Sequence, residues 1–584
     1  MGLATGGLFV QCCQASAIER EFLTVAQLDE RSNVDIKQPL SFKALTMPEQ
    51  AIPSKLRLQG SLRFSPITAF SHLAVVEQSE VYQFERRTRL EAFTPARAFL
   101  PEISINVVQS GQYIIPVKRD LQLTEHAHWD YIVGVGDIWQ EAADSDYSRV
   151  SMPFALVEKN QNCVHNGVLS FLVNEHSETT DFYYQISSET CLYYKADMWG
   201  KGNVAYSQKN IENGPEVVDK YLIEQKNRFP VKPLSQLKQQ FPAINLDNIA
   251  LAKSIRTQDL SSVAVVLNGQ QYVADCMTRF GLYPFCAQLV LPSYSTAKSI
   301  FAGIAMVYLE QRYPAIFEQR VSEWITQCDS EKWRDVTFAH LLNMSTGNYH
   351  AIGHAVDEGA EHSQLFFKAK THKQKLQYSC EQFEHQQPPG TAFVYHTSDT
   401  YLLGSALNEY LKAQLKKQHK PATTSVFEHV FVNQLWPLLQ LSPVAFSTRK
   451  TADARQQAFT GYGLFFTRDD IAKIAHYLMN TQSRPGKHLH SKRLQKMLKH
   501  SLTGDELSTQ YEFIRYHNGF WKQNITDALG CENDTWLPYM MGYGGIAIIL
   551  INQNMQYYYF SDSDQYSWRD AIKELDKITP LCRQ

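Results

Sequence analysis

The sequence predicts an α+β fold preceded by an N-terminal β-rich domain, and two observations support this. Between about residues 55 and 210, short segments rich in aromatic and β-branched residues alternate with Gly, Asn, Asp and Ser, which is typical of antiparallel strands. After residue 248, a strand hairpin is followed by helical segments to about residue 480, and then by strands and an amphipathic helix. We therefore expect an antiparallel sheet built from both ends of the second domain and flanked by helices, with a helical insertion beside it.

The composition restricts the classes of function. A chain of 584 residues is too long for one ordinary core, so two or more domains are expected. The formal net charge is −3, and no basic run is interleaved with aromatic residues, which argues against a nucleic-acid partner. No segment approaches the roughly 18 consecutive apolar residues of a membrane-spanning helix. The absence of a Cys-x-x-Cys motif argues against a zinc ribbon, and we predict neither a metal nor a cofactor.

The first 17 residues leave two interpretations open. They contain a short apolar stretch and an Ala-x-Ala pattern ending at Ala17, as a signal-peptide cleavage site does, but they lack a basic start. The alternative is a flexible N-terminal tail. Beyond this segment, an even set of eight cysteines is compatible with disulfides in an oxidising compartment: Cys163, Cys191, Cys276, Cys286, Cys328, Cys380, Cys531 and Cys582. We expect a periplasmic or secreted protein, with a cytoplasmic location as the alternative.

The chain then divides into two domains and a linker. Residues 18–227 are the predicted N-terminal β-rich domain, for which the strand pattern favours an antiparallel sandwich. Its binding partner is not indicated by the sequence. Residues 228–247 are polar and contain three prolines, which predicts a linker with at most one short helix. The second domain, residues 248–584, opens with a hairpin around Asn268-Gly269, a strong turn signal.

A candidate catalytic pair lies in the segment LPSYSTAKSIFAGIAMVYLEQ, which begins at Leu291. Ser295 and Lys298 are three residues apart at the start of a strongly apolar helix, so they share one helix face and the amine can reach the hydroxyl. The helix N-terminus offers unpaired N–H groups and partial positive charge, which favour an oxyanion there. A buried lysine can have a lowered pKa and act as a base. The alternative is a serine N-cap beside an exposed lysine. The same spacing at Ser235–Lys238, in polar surroundings, is interpreted as chance.

Four later segments occur in an order that resembles a known superfamily. They are FAHLLNMSTG, VYHTSDTYLLGSAL, GYGLFFTRDDIAKIAHYLMN and MGYGGIAIIL. Together with the SxxK helix, they resemble the serine β-lactamase and penicillin-binding-protein superfamily, in particular the β-lactamase-related hydrolases of the class C and 6-aminohexanoate-dimer-hydrolase-like branch. The resemblance covers roughly residues 250–575 and implies a β-lactamase-like transpeptidase fold.

The resemblance implies a role for each matching residue. Ser295 matches the acylating nucleophile and Lys298 the lysine that removes its proton. Tyr395 matches the tyrosine that shares the general-base role and protonates the leaving group. The backbone N–H groups of Ser295 and Gly545 are expected to form the oxyanion hole. Four further residues are expected to bind the substrate: His396, Thr397, Tyr543 and Gly544. The polar segment 350–362 is expected to form a loop at the rim of the site, with a metal site as the alternative.

Two departures from the superfamily pattern bear on the substrate. The tyrosine motif reads Tyr395-His396-Thr397, so the usual amide side chain is missing. The glycine-rich strand at residues 542–545 has no lysine or histidine at its head, which puts β-lactam hydrolysis in doubt. We expect a metal-independent serine acyl hydrolase acting on a small-molecule ester or amide. The alternative is a penicillin-binding-like binding or sensor protein with little or no turnover.

Overall fold

A computed structural model describes residues 23–28, 38–66, 72–75, 97, 99–193, 195–353, 355–421, 424–480, 489 and 492–582. The predicted leader, residues 1–17, lies outside these residues. The helices of the described part are α1 Val25–Leu28, α2 Gly214–Asn227, α3 Leu234–Gln240, α4 Leu246–Ile249, α5 Ile304–Glu310, α6 Phe338–Leu342, α7 Val356–Gly359, α8 Ser363–Lys368, α9 His372–Glu381, α10 Thr397–Lys417, α11 Trp436–Leu439, α12 Arg468–Asn480, α13 Lys492–Met497, α14 Thr526–Leu529 and α15 Arg569–Asp576, with π-helical turns at Lys298–Gly303 and Phe427–Leu435. In the described part of the chain, none of the helices has both the length and the apolar composition needed to span a membrane.

The N-terminal region is β-rich, as predicted, but its sheet closes on itself. Its described strands are β1 Ile52–Pro53, β2 Gln59–Pro66, β3 His72–Val75, β4 Ile103–Ser110, β5 Tyr113–Pro116, β6 Trp129–Val133, β7 Gly136–Gln140, β8 Ser148–Glu158, β9 Val164–Val173, β10 Asp181–Thr190 and β11 Ala196–Gln208. The order β7-β5-β4-β2-β11-β10-β9-β8 returns to β7, which pairs with β8 through Ile138 and Val150. The sandwich prediction was therefore wrong. The alternation of apolar and polar residues along a strand indicates that one face of the sheet is buried. It does not indicate whether a second sheet or the opposite wall of the same closed sheet covers that face.

Strands β8, β9 and β10 are buried along their whole length. Their inner face contributes to the core of the closed sheet, which includes Met152, Leu169 and Tyr184. Their outer face packs against the second region, where the Tyr283 hydroxyl donates to the carbonyl of Gly167 across 2.9 Å. The two regions therefore share an extensive buried boundary that includes polar contacts.

The second region contains a large sheet built from both of its ends, as predicted. Its described strands are β12 Val231–Pro233, β13 Leu260–Leu267, β14 Gln270–Val273, β15 Met277–Thr278, β16 Gly281–Leu282, β17 Leu291–Pro292, β18 Phe465–Phe466, β19 Leu507–Ser508, β20 Ile514–His517, β21 Phe520–Asn524, β22 Trp536–Gly542, β23 Ile546–Ile549 and β24 Met555–Ser561. The order of the large sheet is β12-β14-β13-β24-β23-β22-β21-β20-β19, so the first and last parts of the region meet at β13 and β24. Helix α15 covers one face of this sheet and the helical insertion covers the other.

Residues 228–247, predicted to be a linker, are part of this second region. They form β12, which pairs in parallel with β14, together with α3 and the beginning of α4. Leu234, Leu237 and Ile244 are buried in the same core as α15. The prolines produced the linker prediction, but the apolar residues between them have the spacing of a short amphipathic helix.

The eight later cysteines form four disulfides, which join Cys163 to Cys191, Cys276 to Cys286, Cys328 to Cys380 and Cys531 to Cys582. Each pair lies within one of the two regions. The disulfides therefore constrain loops inside each region and do not tie the two regions together.

Candidate active site

Ser295 lies in a tight turn between β17 and the π-helical turn that begins at Lys298. Strand β17 is held by β18, with Leu291 opposite Phe466. Tyr294 has a φ of 40°, a left-handed conformation that is unfavourable for a residue with a side chain. Within the described residues, no group accepts a hydrogen bond from the N–H of Ser295. The turn thus presents both the hydroxyl and the backbone N–H of Ser295 at the cleft.

Lys298 contacts Ser295 as the sequence predicts. Its Nζ donates to Ser295 Oγ across 3.1 Å, to Thr397 Oγ1 across 2.8 Å and to the Gly461 carbonyl across 3.4 Å. The residue is only 2% exposed. Burial lowers the pKa of Lys298 to about 8, against the opposing effect of the Glu358 and Asp399 carboxylates. A substantial fraction of neutral amine is therefore available at mildly alkaline pH.

Tyr395 completes a three-residue cluster. Its hydroxyl is close enough to Ser295 for the serine side chain to lower its pKa slightly, and its ring centroid lies 4.7 Å from Lys298 Nζ. The ring also stacks on Trp521, with the centroids 6.0 Å apart. Burial raises the pKa of Tyr395 well above its usual value, and the Glu358 carboxylate adds to this effect. In this state the tyrosine holds its proton, while Lys298 is the group whose pKa approaches neutrality.

The glycine-rich strand end approaches Ser295 at Gly542. A Cβ on Gly542 would lie 2.9 Å from the Ser293 carbonyl oxygen and 3.3 Å from Tyr294 Cβ, so only glycine fits there. Gly542 and Tyr543 line the cleft, and the Tyr543 ring packs against Tyr294 with the centroids 5.9 Å apart.

Gly544 and Gly545 differ from their predicted roles because they form the turn after β22, away from the cleft. Both have positive φ, and a Cβ on Gly545 would lie 2.5 Å from Ser561 Oγ. The Gly545 carbonyl accepts hydrogen bonds from the backbone and hydroxyl of Ser561. The glycines at 544 and 545 therefore serve the β22–β23 hairpin, and the part of the motif that borders the cleft is Gly542-Tyr543.

His396 also differs from its prediction as a substrate-binding residue. It is 1% exposed and stacks on Phe383, with the ring centroids 4.0 Å apart. Its Nε2 lies 3.0 Å from Asp357 Oδ2, and its Nδ1 lies 3.8 Å from Asp399 Oδ2. Burial lowers the pKa of His396, but the hydrogen bond to Asp357 and the neighbouring carboxylates outweigh it, so the net shift is upward. His396 anchors the α7 segment to the start of α10 and does not line the cleft.

Thr397, predicted to bind the substrate, lines the cleft and connects Lys298 to a carboxylate whose role the sequence did not predict. The Thr397 hydroxyl accepts from Lys298 and donates to Glu358, whose other carboxylate oxygen accepts from the Thr397 N–H across 3.0 Å. Glu358 belongs to the rim segment identified in the sequence and lines the cleft. No spacing rule links it to Thr397, which is 39 residues later in the chain.

The N-terminal region forms one wall of the cleft, which the sequence did not predict. The cleft has a volume of 3140 Å³ and contains Ser295, Tyr395 and Thr397. Its lining also includes residues of the closed sheet and its connections, among them Glu158, Asn162 and Tyr193. The Tyr193 hydroxyl donates to Glu158 across 2.5 Å, and Arg97 pairs with the same carboxylate across 2.8 Å.

Metal-ligating side chains cluster at one place among the described residues, at Cys163, His165 and Cys191. The two cysteines are joined in a disulfide, so their sulfurs are not available as thiolates. The cluster belongs to the core of the closed sheet and does not line the cleft.

Comparison with known proteins adds a family match. Residues 259–564, more than half of the chain, match the family model described as Beta-lactamase. A comparison with curated proteins found no match. Among solved structures, a Bacillus anthracis protein assigned as a 6-aminohexanoate-dimer hydrolase is 16% identical, with a TM-score of 0.42, covering 57% of this chain and 81% of its own. A class C beta-lactamase mutant is 12% identical, with a TM-score of 0.40, covering 57% of this chain and 97% of its own.

Proposed function

This chain belongs to the beta-lactamase family and is a serine hydrolase of that superfamily, and we propose that it cleaves esters or amides, without a metal, through a covalent acyl-enzyme on Ser295. The observation that carries the proposal is the 3.1 Å contact between Ser295 Oγ and the Nζ of a buried Lys298 whose pKa is lowered to about 8. A nucleophile in hydrogen-bond contact with a base of near-neutral pKa is the basic arrangement for covalent acyl transfer.

In the first half of the reaction, neutral Lys298 takes the hydroxyl proton of Ser295 while Oγ attacks the acyl carbon. The electron pair of the carbonyl moves to its oxygen, where the N–H of Ser295 donates a hydrogen bond. We propose that a second donor comes from the end of β22, at Gly542 or Tyr543, in the place first assigned to Gly545. The electron pair then returns from the oxygen to re-form the carbonyl, the bond to the leaving group breaks, and the leaving group departs while the acyl group remains on Ser295 Oγ.

Tyr395 acts as the proton donor to the leaving group in this proposal. Its raised pKa keeps the phenol protonated, which favours a donor over a phenolate base. The phenol gives its proton to the departing oxygen or nitrogen and regains one from the Lys298 ammonium. In the second half, water adds to the acyl carbon with Lys298 as base, and Ser295 regains its proton.

The proposed substrates are neutral esters or amides. The superfamily resemblance implies a lysine or histidine near a substrate carboxylate, but Gly542 and Tyr543 stand at that place in this chain. Glu358 adds a carboxylate to the same cleft. Burying a second anion there is unfavourable unless it is paired. Neutral acyl compounds avoid this cost.

The experiment is a panel of chromogenic esters, short amides and a β-lactam, measured with the wild type, Ser295→Ala and Ser235→Ala. Ser235 is the matched control, since it has the same SxxK spacing but is exposed on α3. We expect Ser295→Ala to lose turnover and Ser235→Ala to retain it. If no acyl compound is turned over by the wild type but some bind, the binding or sensor alternative is favoured.

A further inference from the structure

The turn between β8 and β9 inserts a side chain beside the nucleophile. We infer that Asn162, contributed by the N-terminal region, is a positioning residue for Ser295, so that the closed sheet is a working part of the active site. The inference rests on the proposed function for its activity readout. Its structural basis is a set of hydrogen bonds across the boundary between the two regions.

The amide oxygen of Asn162 accepts three hydrogen bonds. The donors are the Tyr294 N–H at 2.7 Å, the Gly463 N–H at 2.9 Å and the Ser293 hydroxyl at 3.2 Å. The side-chain amino group donates to the Leu464 carbonyl across 3.4 Å. Asn162 is 1% exposed, so these groups have little water with which to replace the contact.

These bonds act on the strained part of the nucleophile turn. Tyr294 precedes Ser295 directly and has a φ of 40°. A conformation of this kind persists only where surrounding contacts hold it. The shortest of the three bonds to Asn162 comes from the N–H of this same residue. Asn162 thereby fixes the direction in which the Ser295 hydroxyl and N–H point into the cleft.

The same amide oxygen also holds the segment that orients the base. Gly463 lies two residues after Gly461, whose carbonyl accepts a hydrogen bond from Lys298 Nζ across 3.4 Å. One side chain therefore connects the turn before the nucleophile with the chain that contacts the lysine. Loss of this acceptor would change the relative placement of both reacting groups.

Other side chains anchor the two regions without touching this turn. Asn160 and Gln161, in the same β8–β9 connection, both donate to the Phe367 carbonyl. Asn166 on β9 makes a two-way bond with Val290: its amide donates across 3.0 Å and its oxygen accepts across 2.9 Å. Asn166 is 2% exposed. Asn166 is therefore a matched control for Asn162. It has the same residue type and burial, and it bridges the same boundary at Val290, five residues before Ser295.

The experiment compares N162A, N162D and N166A with the wild type in the full chain. The readouts are kcat and KM for a neutral ester, the rate of labelling by a fluorophosphonate, and thermal stability. We expect N162A to lose kcat by about 100-fold, with KM changed by less than roughly threefold, because a small misplacement of reacting groups has effects of this size. N166A should lose comparable thermal stability but keep kcat and the labelling rate within roughly threefold of the wild type.

The aspartate variant keeps the acceptor oxygens and guards against failure of N162A to fold. The kcat of N162D should stay within about tenfold of the wild-type value when both are measured at a pH above the range in which the rate rises with pH. Equal kcat losses in N162A and N166A, or a folded N162D as inactive as Ser295→Ala, would overturn the role of Asn162. Residual turnover in Ser295→Ala would instead contradict the acyl-enzyme proposal, so the two failures are distinguishable.

Discussion

Thr397 joins Lys298 to Glu358: its hydroxyl accepts a hydrogen bond from Lys298 Nζ across 2.8 Å and donates one to the Glu358 carboxylate. The chain Ser295–Lys298–Thr397–Glu358 therefore ends in an acid that lines the cleft. A threonine stands where the superfamily resemblance expects an amide side chain. Through Thr397, the negative charge of Glu358 is coupled to Lys298, the proposed base.

Replacing Glu358 should move the pH dependence of the reaction downward. Burial lowers the pKa of Lys298 to about 8, and Glu358 opposes this by favouring the ammonium. In Glu358→Gln the lysine becomes neutral at lower pH, so the ascending limb of kcat/KM should shift below pH 8. The measurement is a pH–rate profile with a neutral ester. Glu361→Gln, a cleft residue outside this hydrogen-bonded chain, is the control and should leave the limb in place. An upward shift in Glu358→Gln would contradict the assignment of Lys298 as base.

Replacing Lys298 by methionine should stabilise the fold at neutral pH while removing activity. The folded-state pKa, about 8, lies below the unfolded value of 10.5, so the wild type carries an ionisation cost that is fully present below pH 8. Between pH 8 and 10.5 the unfolded state binds more protons, and stability rises with pH. The shift corresponds to at most about 3 kcal/mol.

The measurement is the free energy of unfolding by denaturant at pH 7 and at pH 10.5. Lys298→Met should be more stable than the wild type at pH 7, and the difference should shrink at pH 10.5. Lys238→Met, at an exposed lysine on α3, should show no such pH-dependent gain. A Lys298→Met protein less stable than the wild type at both pH values would mean that the hydrogen bonds of Lys298 outweigh its desolvation.

The charge of the substrate should strongly affect kcat/KM. A charge-assisted hydrogen bond contributes about 1.5–3 kcal/mol, whereas the neutral hydroxyl of Tyr543 offers roughly half of that. We expect neutral esters or amides to be hydrolysed well above carboxylated β-lactams, by one or two powers of ten in kcat/KM. Tyr543→Lys should narrow the gap. Wild-type preference for a carboxylated β-lactam would require another cation, and His396 is excluded from that role by its burial between Asp357 and Asp399.

The disulfides predict the outcome of thiol counting. We propose that the protein is exported to an oxidising compartment, where its four disulfides form and persist. Protein purified from its native compartment and denatured without reductant should show at most two free thiols, those of Cys12 and Cys13, since the other eight cysteines are paired. Eight or more free thiols would place the protein in the cytoplasm.

The sequence predicted the α+β second region and brought Ser295, Lys298 and Tyr395 into one hypothesis. The first two lie on one helix face, so their contact follows from local geometry. Tyr395 required the order of motifs, because its contact with Ser295 spans 100 residues of chain. The two-ended sheet followed from the order of strand-like and helix-like segments.

Other features depend on long-range packing and could not be predicted in this way. Gly542 and Gly545 look equivalent in the sequence, but only the approach of β22 to Ser293 assigns Gly542 to the cleft. His396 was placed in the site by its neighbours, whereas the structure buries it against Phe383. Closure of the N-terminal sheet depends on the pairing of β7 with β8, which the strand pattern does not encode. The contact of Asn162 with Tyr294 joins residues 132 positions apart.

The most direct test of the acyl-enzyme is the mass of the intact protein after reaction with a fluorophosphonate, followed by peptide mapping. We expect a single adduct on Ser295, absent in Ser295→Ala, retained in Ser235→Ala and formed more slowly in Lys298→Met. An unlabelled wild-type protein that turns over esters, or an adduct that persists in Ser295→Ala, would contradict the assignment of Ser295 as the nucleophile.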